Sequence, residues 1–317
     1  MLDFVYAVVG LIILVLAGDA LVRGAVNVSL RLGIPALIVS LTIVAIGTSA
    51  PELLISVSAV LEGVPGIALG NVVGSNIANV LLVLGFPALI SGLHTSDSNT
   101  ISSYMQMLVA TAMFVVAALF SPITWVAGLV MLIALAGFMY HAVHVARAHR
   151  RERKRKQETE ELDVEGVDPS MSWRRIALLL ALGIIGLPLG ADILVGSATN
   201  IATSFGISET VIGLTLVAVG TSLPELATTV SAAMRRQADV ALGNVIGSNM
   251  ANLLGIIGIA SFFGPIPVSP QVFTHDVLVM VGASLLLAPF IFFRINLTRG
   301  WGILFLAGYV TYVVTLF

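Results

Sequence analysis

The chain has 317 residues, of which 58% are hydrophobic and 10% charged, and its mean hydropathy is +1.05. Such apolar values exclude an ordinary soluble domain and predict a membrane protein. The formal net charge of −2 gives no sign of a nucleic-acid partner, and the lack of cysteine excludes disulfides and thiolate metal sites.

Apolar segments long enough to cross a bilayer as helices recur along the chain. Ten spans are predicted, at residues 3–23, 34–61, 66–91, 103–120, 122–146, 174–195, 207–234, 240–263, 274–293 and 299–316. The stretch from Ser98 to Ala146 has no charged residue. As a helix it would reach about 73 Å, enough for two crossings with a turn at Ser121–Pro122. The first span lacks a basic segment and a cleavage site, which favours a retained span over a signal peptide.

The basic residues predict the orientation of these spans. They lie at 23, 31, 147, 150, 151, 153–156, 174, 175, 235, 236, 294 and 299. If both termini are extracytoplasmic, all fifteen lie at cytoplasmic ends, as the positive-inside rule requires. The sequence therefore predicts a multi-pass protein of the cell membrane, in contact with the lipid bilayer.

One stretch of the chain occurs twice. GTSAPEL at residues 47–53 recurs as GTSLPEL at 220–226, and GNVVGSNIANVLLVLG at 70–85 recurs as GNVIGSNMANLLGIIG at 243–258. The offset is 173 residues, and 27 of 53 aligned positions are identical. Equivalent points of the two copies are five spans apart. Because five is an odd number, the copies enter the membrane from opposite sides. The predicted fold is an all-α membrane protein with two inverted-topology five-helix repeats, at 1–146 and 174–317, joined by a charged cytoplasmic linker at 147–173.

The first repeated motif combines a helix break with a carboxylate. Pro51 has no N–H, so the carbonyl of Gly47 loses its helical partner. Thr48, Ser49 and Glu52 are spaced so that their oxygens can share one helical face. Freed carbonyls, hydroxyls and a carboxylate suit hard cations such as Ca²⁺ and Na⁺. The second copy repeats this set with Thr221, Ser222, Pro224 and Glu225.

A simpler interpretation of the first motif is a kinked helix that packs against its neighbours and carries an acidic side chain without a functional role. However, a charged side chain at the centre of a membrane helix costs about 2.5–3.5 kcal/mol. Two acids beside two proline breaks would double that cost, and no nearby basic residue offsets it. A cation site explains the pair better.

The second motif supports two interpretations. Its GxxxG pattern predicts close helix packing, but this leaves Ser75 and Asn79 unexplained, four residues apart on one face and repeated as Ser248 and Asn252. Further amides occur at Asn71, Asn76, Asn244 and Asn249. The sequence leaves open whether these four cap and cross-link helices or contact a cation.

The paired GTSxPE and GNxxGSN motifs resemble the alpha repeats of the cation/calcium exchanger superfamily, particularly the prokaryotic sodium/calcium exchangers. The resemblance implies a Na⁺/Ca²⁺ antiporter and no enzyme, with Ca²⁺ and Na⁺ as transported ions, no cofactor and no obligate protein partner. It implies these metal ligands: the Ala45 carbonyl, Thr48, Ser49, Glu52, Ser75, Asn79, Ala218, Thr221, Ser222, Glu225, Ser248 and Asn252. In this family the first and sixth spans slide across a rigid core. Glycines in these two spans would suit sliding surfaces: Gly10, Gly18, Gly24, Gly183, Gly186 and Gly190.

Asn252 marks a departure from some relatives. Several members of the superfamily have Asp there, and potassium-dependent relatives associate that acid with potassium use. This chain has Asn in both copies, which resembles the potassium-independent type. Proton/calcium exchangers typically have a Glu-containing stretch after the first GN, which GNVVGSN and GNVIGSN lack. A proton- or potassium-coupled exchanger stays an alternative, as does a cation channel or ion-binding receptor.

Two further features have ordinary explanations. Asp19 and Asp192 match across the repeat and are expected to be helix-end acids, with Arg23 placed to pair with Asp19. His141 and His144 share a helical face, but no third metal ligand is evident.

Overall fold

The computed structural model describes residues 2–93, 95, 100–155, 171–205 and 218–316, and helices form nearly all of their regular structure. In chain order they are α1 (Leu2–Leu32), α2 (Ala36–Thr48), α3 (Ala50–Leu61), α4 (Pro65–Ser91), α5 (Ile101–Leu119), α6 (Trp125–Arg155), α7 (Trp173–Ser204), α8 (Ala218–Thr221), α9 (Leu223–Met234), α10 (Ala238–Ala260), α11 (Pro270–Phe292) and α12 (Arg299–Val314).

Among the described residues, seven helices are long and apolar enough to cross a membrane. The number is eight if α2 and α3, which meet at a bend of 44°, form one broken span. Helix α12 is shorter, with 16 residues. The beginning of the predicted span at 207–234 lies outside the described residues. The all-helical membrane fold is therefore established, and the count of ten stays a prediction.

At the beginning of the linker predicted at residues 147–173, the structure differs from the prediction. Helix α6 continues to Arg155, beyond the apolar segment that ends at residue 146. Arginine, lysine and glutamate have high helix propensity, so a change from apolar to charged sequence does not by itself end a helix. Residues 156–170, with most of the linker's acids, lie outside the described part. The turn predicted at Ser121–Pro122 is present between α5 and α6.

Helices α4 and α10 form the centre of the molecule. The most apolar window of α10 is 94% buried and that of α4 is 72% buried, against 17% for α6. Glycines explain the close packing of α10, because a Cβ at Gly247 would lie 2.6 Å from the carbonyl oxygen of Leu41 in α2. The packing predicted from GxxxG is thus present in the second copy.

Helices α1 and α7 pack against each other along their length. A Cβ at Gly10 would lie 2.7 Å from the backbone nitrogen of Leu194, and one at Gly183 would lie 2.5 Å from the Cβ of Leu21. Five of the six glycines expected to form sliding surfaces lie in this contact: Gly10, Gly24, Gly183, Gly186 and Gly190. The expectation is wrong for these five, because they allow the two backbones to approach each other. Gly18 instead contacts Ala227 of α9.

Candidate functional site

The two proline motifs break their helices at equivalent serines. Ser49, with φ −85° and ψ 6°, separates α2 from α3. Ser222, with φ −90° and ψ 4°, separates α8 from α9. Pro51 and Pro224 then occupy the first turn of the following helix, where a missing N–H is tolerated. Each break therefore starts a new helix just before a glutamate.

Glu52 and Glu225 lie in these first turns, and each is only 1% exposed. A helix N-terminus favours a carboxylate because its free N–H groups carry partial positive charge. Oε1 of Glu225 accepts a hydrogen bond from Oγ of Ser49 at 3.1 Å, which joins the two copies. The two carboxylates are close enough to interact electrostatically. No described lysine or arginine forms an ion pair with either.

The second motif contributes amide oxygens from α4 and α10. Asn79 begins a π-helical segment, Asn79–Val83, and Asn252 lies in another, Ala251–Ile256. Such segments add a residue to a helical turn and often occur at functional sites. The amide nitrogen of Asn79 donates to Oδ1 of Asn249 at 3.0 Å, so its own Oδ1 is left for another partner. No pattern in the sequence predicted these segments.

Six buried oxygens of the predicted ligand residues have no hydrogen-bond partner. An unsatisfied buried polar group costs about 1–3 kcal/mol, so such groups are few in native proteins and call for an explanation. The six come from both copies: Glu52 Oε2, Asn79 Oδ1, Ser222 Oγ, Glu225 Oε2, Ser248 Oγ and Asn252 Oδ1. Carboxylate, amide and hydroxyl oxygens fit the ligand preferences of Ca²⁺ and Na⁺.

The other predicted ligands border this group. Oγ1 of Thr48 lies 3.2 Å from the Ala45 carbonyl oxygen and 3.4 Å from Oδ1 of Asn244. Ser75 is 5% exposed, and Thr221 is half-buried. Ala218 begins α8.

Asn71 and Asn244 cross-link the helices of the site. The amide nitrogen of Asn71 donates to the Glu52 carbonyl oxygen at 3.2 Å and to Oγ of Ser56 at 3.0 Å. The second copy repeats both bonds, with Asn244 donating to the Glu225 carbonyl at 3.4 Å and to Thr229 Oγ1 at 3.1 Å. Of the two roles that the sequence left open, the structure shows the cross-link for this pair.

The equivalent helices α3 and α9 differ in what covers them. Helix α1 packs along α9, where Thr228 is completely buried. Neither α1 nor α7 makes an extended contact with α3, where the equivalent residue, Ile55, is 38% exposed. A cavity of about 330 Å³ lies on this uncovered face, with Ser58 and Glu62 among its lining residues. Helix α1 therefore covers α9, whereas the equivalent face of α3 has no such cover.

The minor features have identifiable contacts. Nε of Arg23 pairs with Asp19 at 3.1 Å, as predicted, but Arg235 also pairs with Asp19, its Nε at 2.6 Å from Oδ1. Asp192 is exposed. Nδ1 of His141 lies 2.9 Å from Nε2 of Gln106. Within the described ranges, no three His, Asp or Glu side chains come together as a metal-binding group.

Comparison with known proteins identifies the family. The sodium/calcium exchanger protein family matches residues 2–143 and 175–317. Sodium/calcium exchanger MaX1 of Methanosarcina acetivorans is 34% identical over 99% of this chain and 98% of its own length. Uncharacterized membrane protein MJ0091 of Methanocaldococcus jannaschii is 35% identical over 98% of this chain and 97% of its own. A structure of the sodium-calcium exchanger NCX_Mj, soaked with Na⁺ and Sr²⁺, superposes with a TM-score of 0.83 at 35% identity, covering 99% of this chain and 98% of that one. The chain therefore belongs to the sodium/calcium exchanger protein family.

Proposed function

We propose that this protein is a secondary-active antiporter that exchanges Na⁺ for Ca²⁺ at one central site. Family membership supports the reaction, and relatives with this activity in their names align over nearly the whole chain. The observation that carries the proposal is the group of buried oxygens without hydrogen-bond partners, drawn from both copies of the repeat.

The charge of the site fits one Ca²⁺. Glu52 and Glu225 together supply −2, and no described basic side chain pairs with them. Hydroxyl and amide oxygens complete an all-oxygen set that Na⁺ also accepts. Because both ions need the same carboxylates, Na⁺ binding displaces Ca²⁺, and this competition is the simplest basis for exchange.

The proposed ligands are those implied by the family resemblance. Ten of the twelve residues are buried, and six of them have an oxygen without a hydrogen-bond partner, which supports the assignment. The set is Ala45 through its carbonyl, Thr48, Ser49, Glu52, Ser75, Asn79, Ala218, Thr221, Ser222, Glu225, Ser248 and Asn252.

The proposal includes an architecture. Ten spans form two inverted halves, residues 1–146 and 174–317, with both termini extracytoplasmic and the linker at 147–173 in the cytoplasm. The site then lies on the axis that relates the halves, and conformational change exposes it to each side in turn. The arrangement of basic residues and the 173-residue repeat support this topology.

Reconstitution tests the function directly. Purified protein in liposomes is loaded with Na⁺, K⁺ or H⁺ in separate experiments, and uptake of ⁴⁵Ca²⁺ is followed. We expect an outward Na⁺ gradient to drive uptake, without K⁺ on either side. Uptake driven only by H⁺ would favour a proton-coupled exchanger. Uptake down the Ca²⁺ gradient without any counter-ion would indicate a channel.

A further inference from the structure

The half-buried ion pair between Asp19 and Arg235 joins the helix pair α1–α7 to the helices of the site. Asp19 lies in α1, and Arg235 directly follows α9. Their side chains are 31% and 19% exposed, and both Nε and a terminal nitrogen of Arg235 contact the same carboxylate oxygen. Charge-assisted contacts of this kind are stronger than neutral hydrogen bonds. The pair therefore fixes the position of α1 over α9.

Close backbone packing accompanies this ion pair. A Cβ at Gly18 would lie 2.9 Å from the carbonyl oxygen of Ala227, so α1 rests directly on the backbone of α9. This is the end of the site that α1 covers, and the proposed orientation places it on the cytoplasmic side.

The repeat provides an internal comparison, because each residue here has an equivalent 173 positions away. Gly18 corresponds to Ala191, Asp19 to Asp192, and Arg235 to Glu62. If α7 moved over α3 as α1 now lies over α9, Asp192 would approach Glu62. Two acids repel each other, and Ala191 has a Cβ where Gly18 has none. The equivalent contact on the other side therefore lacks both stabilising features.

We propose that Asp19 and Arg235 form a latch that holds the cytoplasmic side of the site closed, and that the equivalent residues on the external side, Asp192 and Glu62, form no such latch. This inference rests on the proposed topology. The latch makes the state open to the cytoplasm higher in free energy than the state open to the outside, so the chain favours the state with the site open along α3. The uncovered face of α3 agrees with this bias, since Glu62 and Asp192 are both exposed and neither forms an ion pair with another described residue.

Two equivalent serines report the two states, and the chain has no native cysteine. Ser58 lies on the uncovered face of α3, and Ser231 is its equivalent on α9. Ser58→Cys should react with a membrane-impermeant maleimide from outside. Ser231 is half-buried, so Ser231→Cys should react slowly with the same reagent from the cytoplasmic side, and faster when α1 has moved away from α9.

Asp19→Asn removes the latch with little change in volume. We expect it to raise the labelling rate of Ser231→Cys roughly fivefold, the change typical of losing a partly buried ion pair. Arg235→Gln should have the same effect. The exchanged pair Asp19→Arg with Arg235→Asp should restore the slow rate when Arg23, which also pairs with Asp19, is replaced by Gln to remove its repulsion from Arg at position 19. Arg236→Gln, which removes the neighbouring charge, is the matched control and should leave the rate unchanged.

The external side offers the converse experiment. Glu62→Arg places a cation opposite Asp192 and should also raise Ser231→Cys labelling, by stabilising the cytoplasm-open state. Adding Asp192→Asn should cancel that rise. The latch is refuted if Asp19→Asn labels like wild type, or if the exchanged pair labels as fast as Asp19→Asn. Labelling is measured without transport, so a lack of Na⁺/Ca²⁺ exchange in liposomes would refute the proposed function and leave this test intact.

Discussion

Among individual residues, two buried carboxylates that form no ion pair with any described lysine or arginine determine the character of the candidate site. Glu52 and Glu225 each leave one oxygen without a hydrogen bond, so a bound cation is the natural partner of both. Among the described residues, their neighbours supply hydroxyl and amide dipoles, and no basic side chain pairs with them. In the proposed site, the negative charge of the two ionised carboxylates is therefore available to the transported ion.

Replacing either glutamate by glutamine should abolish Ca²⁺ transport. Glu52→Gln and Glu225→Gln keep the side-chain volume but remove one charge, which should weaken Ca²⁺ binding by about 2–5 kcal/mol. Uptake into liposomes measures the loss, and size-exclusion chromatography checks folding. Glu158→Gln makes the same chemical change in the linker and should transport like wild type. Normal uptake by either site variant would remove that glutamate from the ligand set.

Asn252 tests the number of carboxylates. With Asn in both copies, the wild type should need no K⁺. Asn252→Asp adds a third carboxyl group among the ligands, so the pH profile of exchange should differ from that of the wild type. Profiles that superimpose from acid to alkaline pH would place residue 252 outside the coordination shell. A strict K⁺ requirement of the wild type would contradict the potassium-independent assignment.

The sequence was most informative about polar and charged residues that lie in apolar segments. Glutamates beside prolines in apolar segments indicate a polar cluster, whatever the tertiary arrangement. The partners were not predictable, because they come from distant parts of the chain. Ser49 and Glu225 are 176 positions apart, and Asp19 and Arg235 are 216 apart. Arg23 is near enough in sequence to be predicted as a partner of Asp19, but Arg235 is not.

Among the helices, α1 and α7 are in such close contact that they form one packed unit. Gly10, Gly183 and Gly190 bring the two backbones together, which leaves no room for added side-chain atoms at these positions. Glycine in a membrane helix is compatible both with sliding and with close packing, so only the tertiary structure decides between them. The helix breaks were predictable from proline, whereas the π-helical segments at Asn79 and Asn252 were not.

Glycine substitutions in α7 should distinguish positions packed closely against α1 from positions with free space around them. A Cβ at Gly190 would lie 2.9 Å from the backbone nitrogen of Leu14, so Gly190→Ala should destabilise the protein by about 1–3 kcal/mol. A Cβ at Gly196, in the same helix, would meet no neighbouring atom within 4 Å. Gly196→Ala should therefore be neutral or stabilising by up to about 1 kcal/mol. Thermal unfolding in detergent compares them, and equal melting temperatures would contradict this packing.

For the entire chain, the inverted architecture depends on the side of the membrane on which each connection between spans lies. Single cysteines at Glu158, in the linker, and at the exposed Pro267 should label from opposite sides of the membrane. Impermeant reagents applied to oriented vesicles measure this, with the cysteine-free parent as control. Labelling of both from one side would exclude ten spans and the inverted repeat.

The hydrogen bonds that cross between the halves have a thermodynamic consequence. Ser49 of the first half bonds Glu225 of the second, and Asn79 bonds Asn249 across the same boundary. An ion held by oxygens of both halves cannot stay bound when either half unfolds. By linkage, each tenfold rise in free Ca²⁺ above its dissociation constant adds about 1.4 kcal/mol to the free energy of unfolding. Ca²⁺ bound at the proposed site would therefore act as a reversible cross-link between the two halves, and the stability of the entire fold would rise with its occupancy.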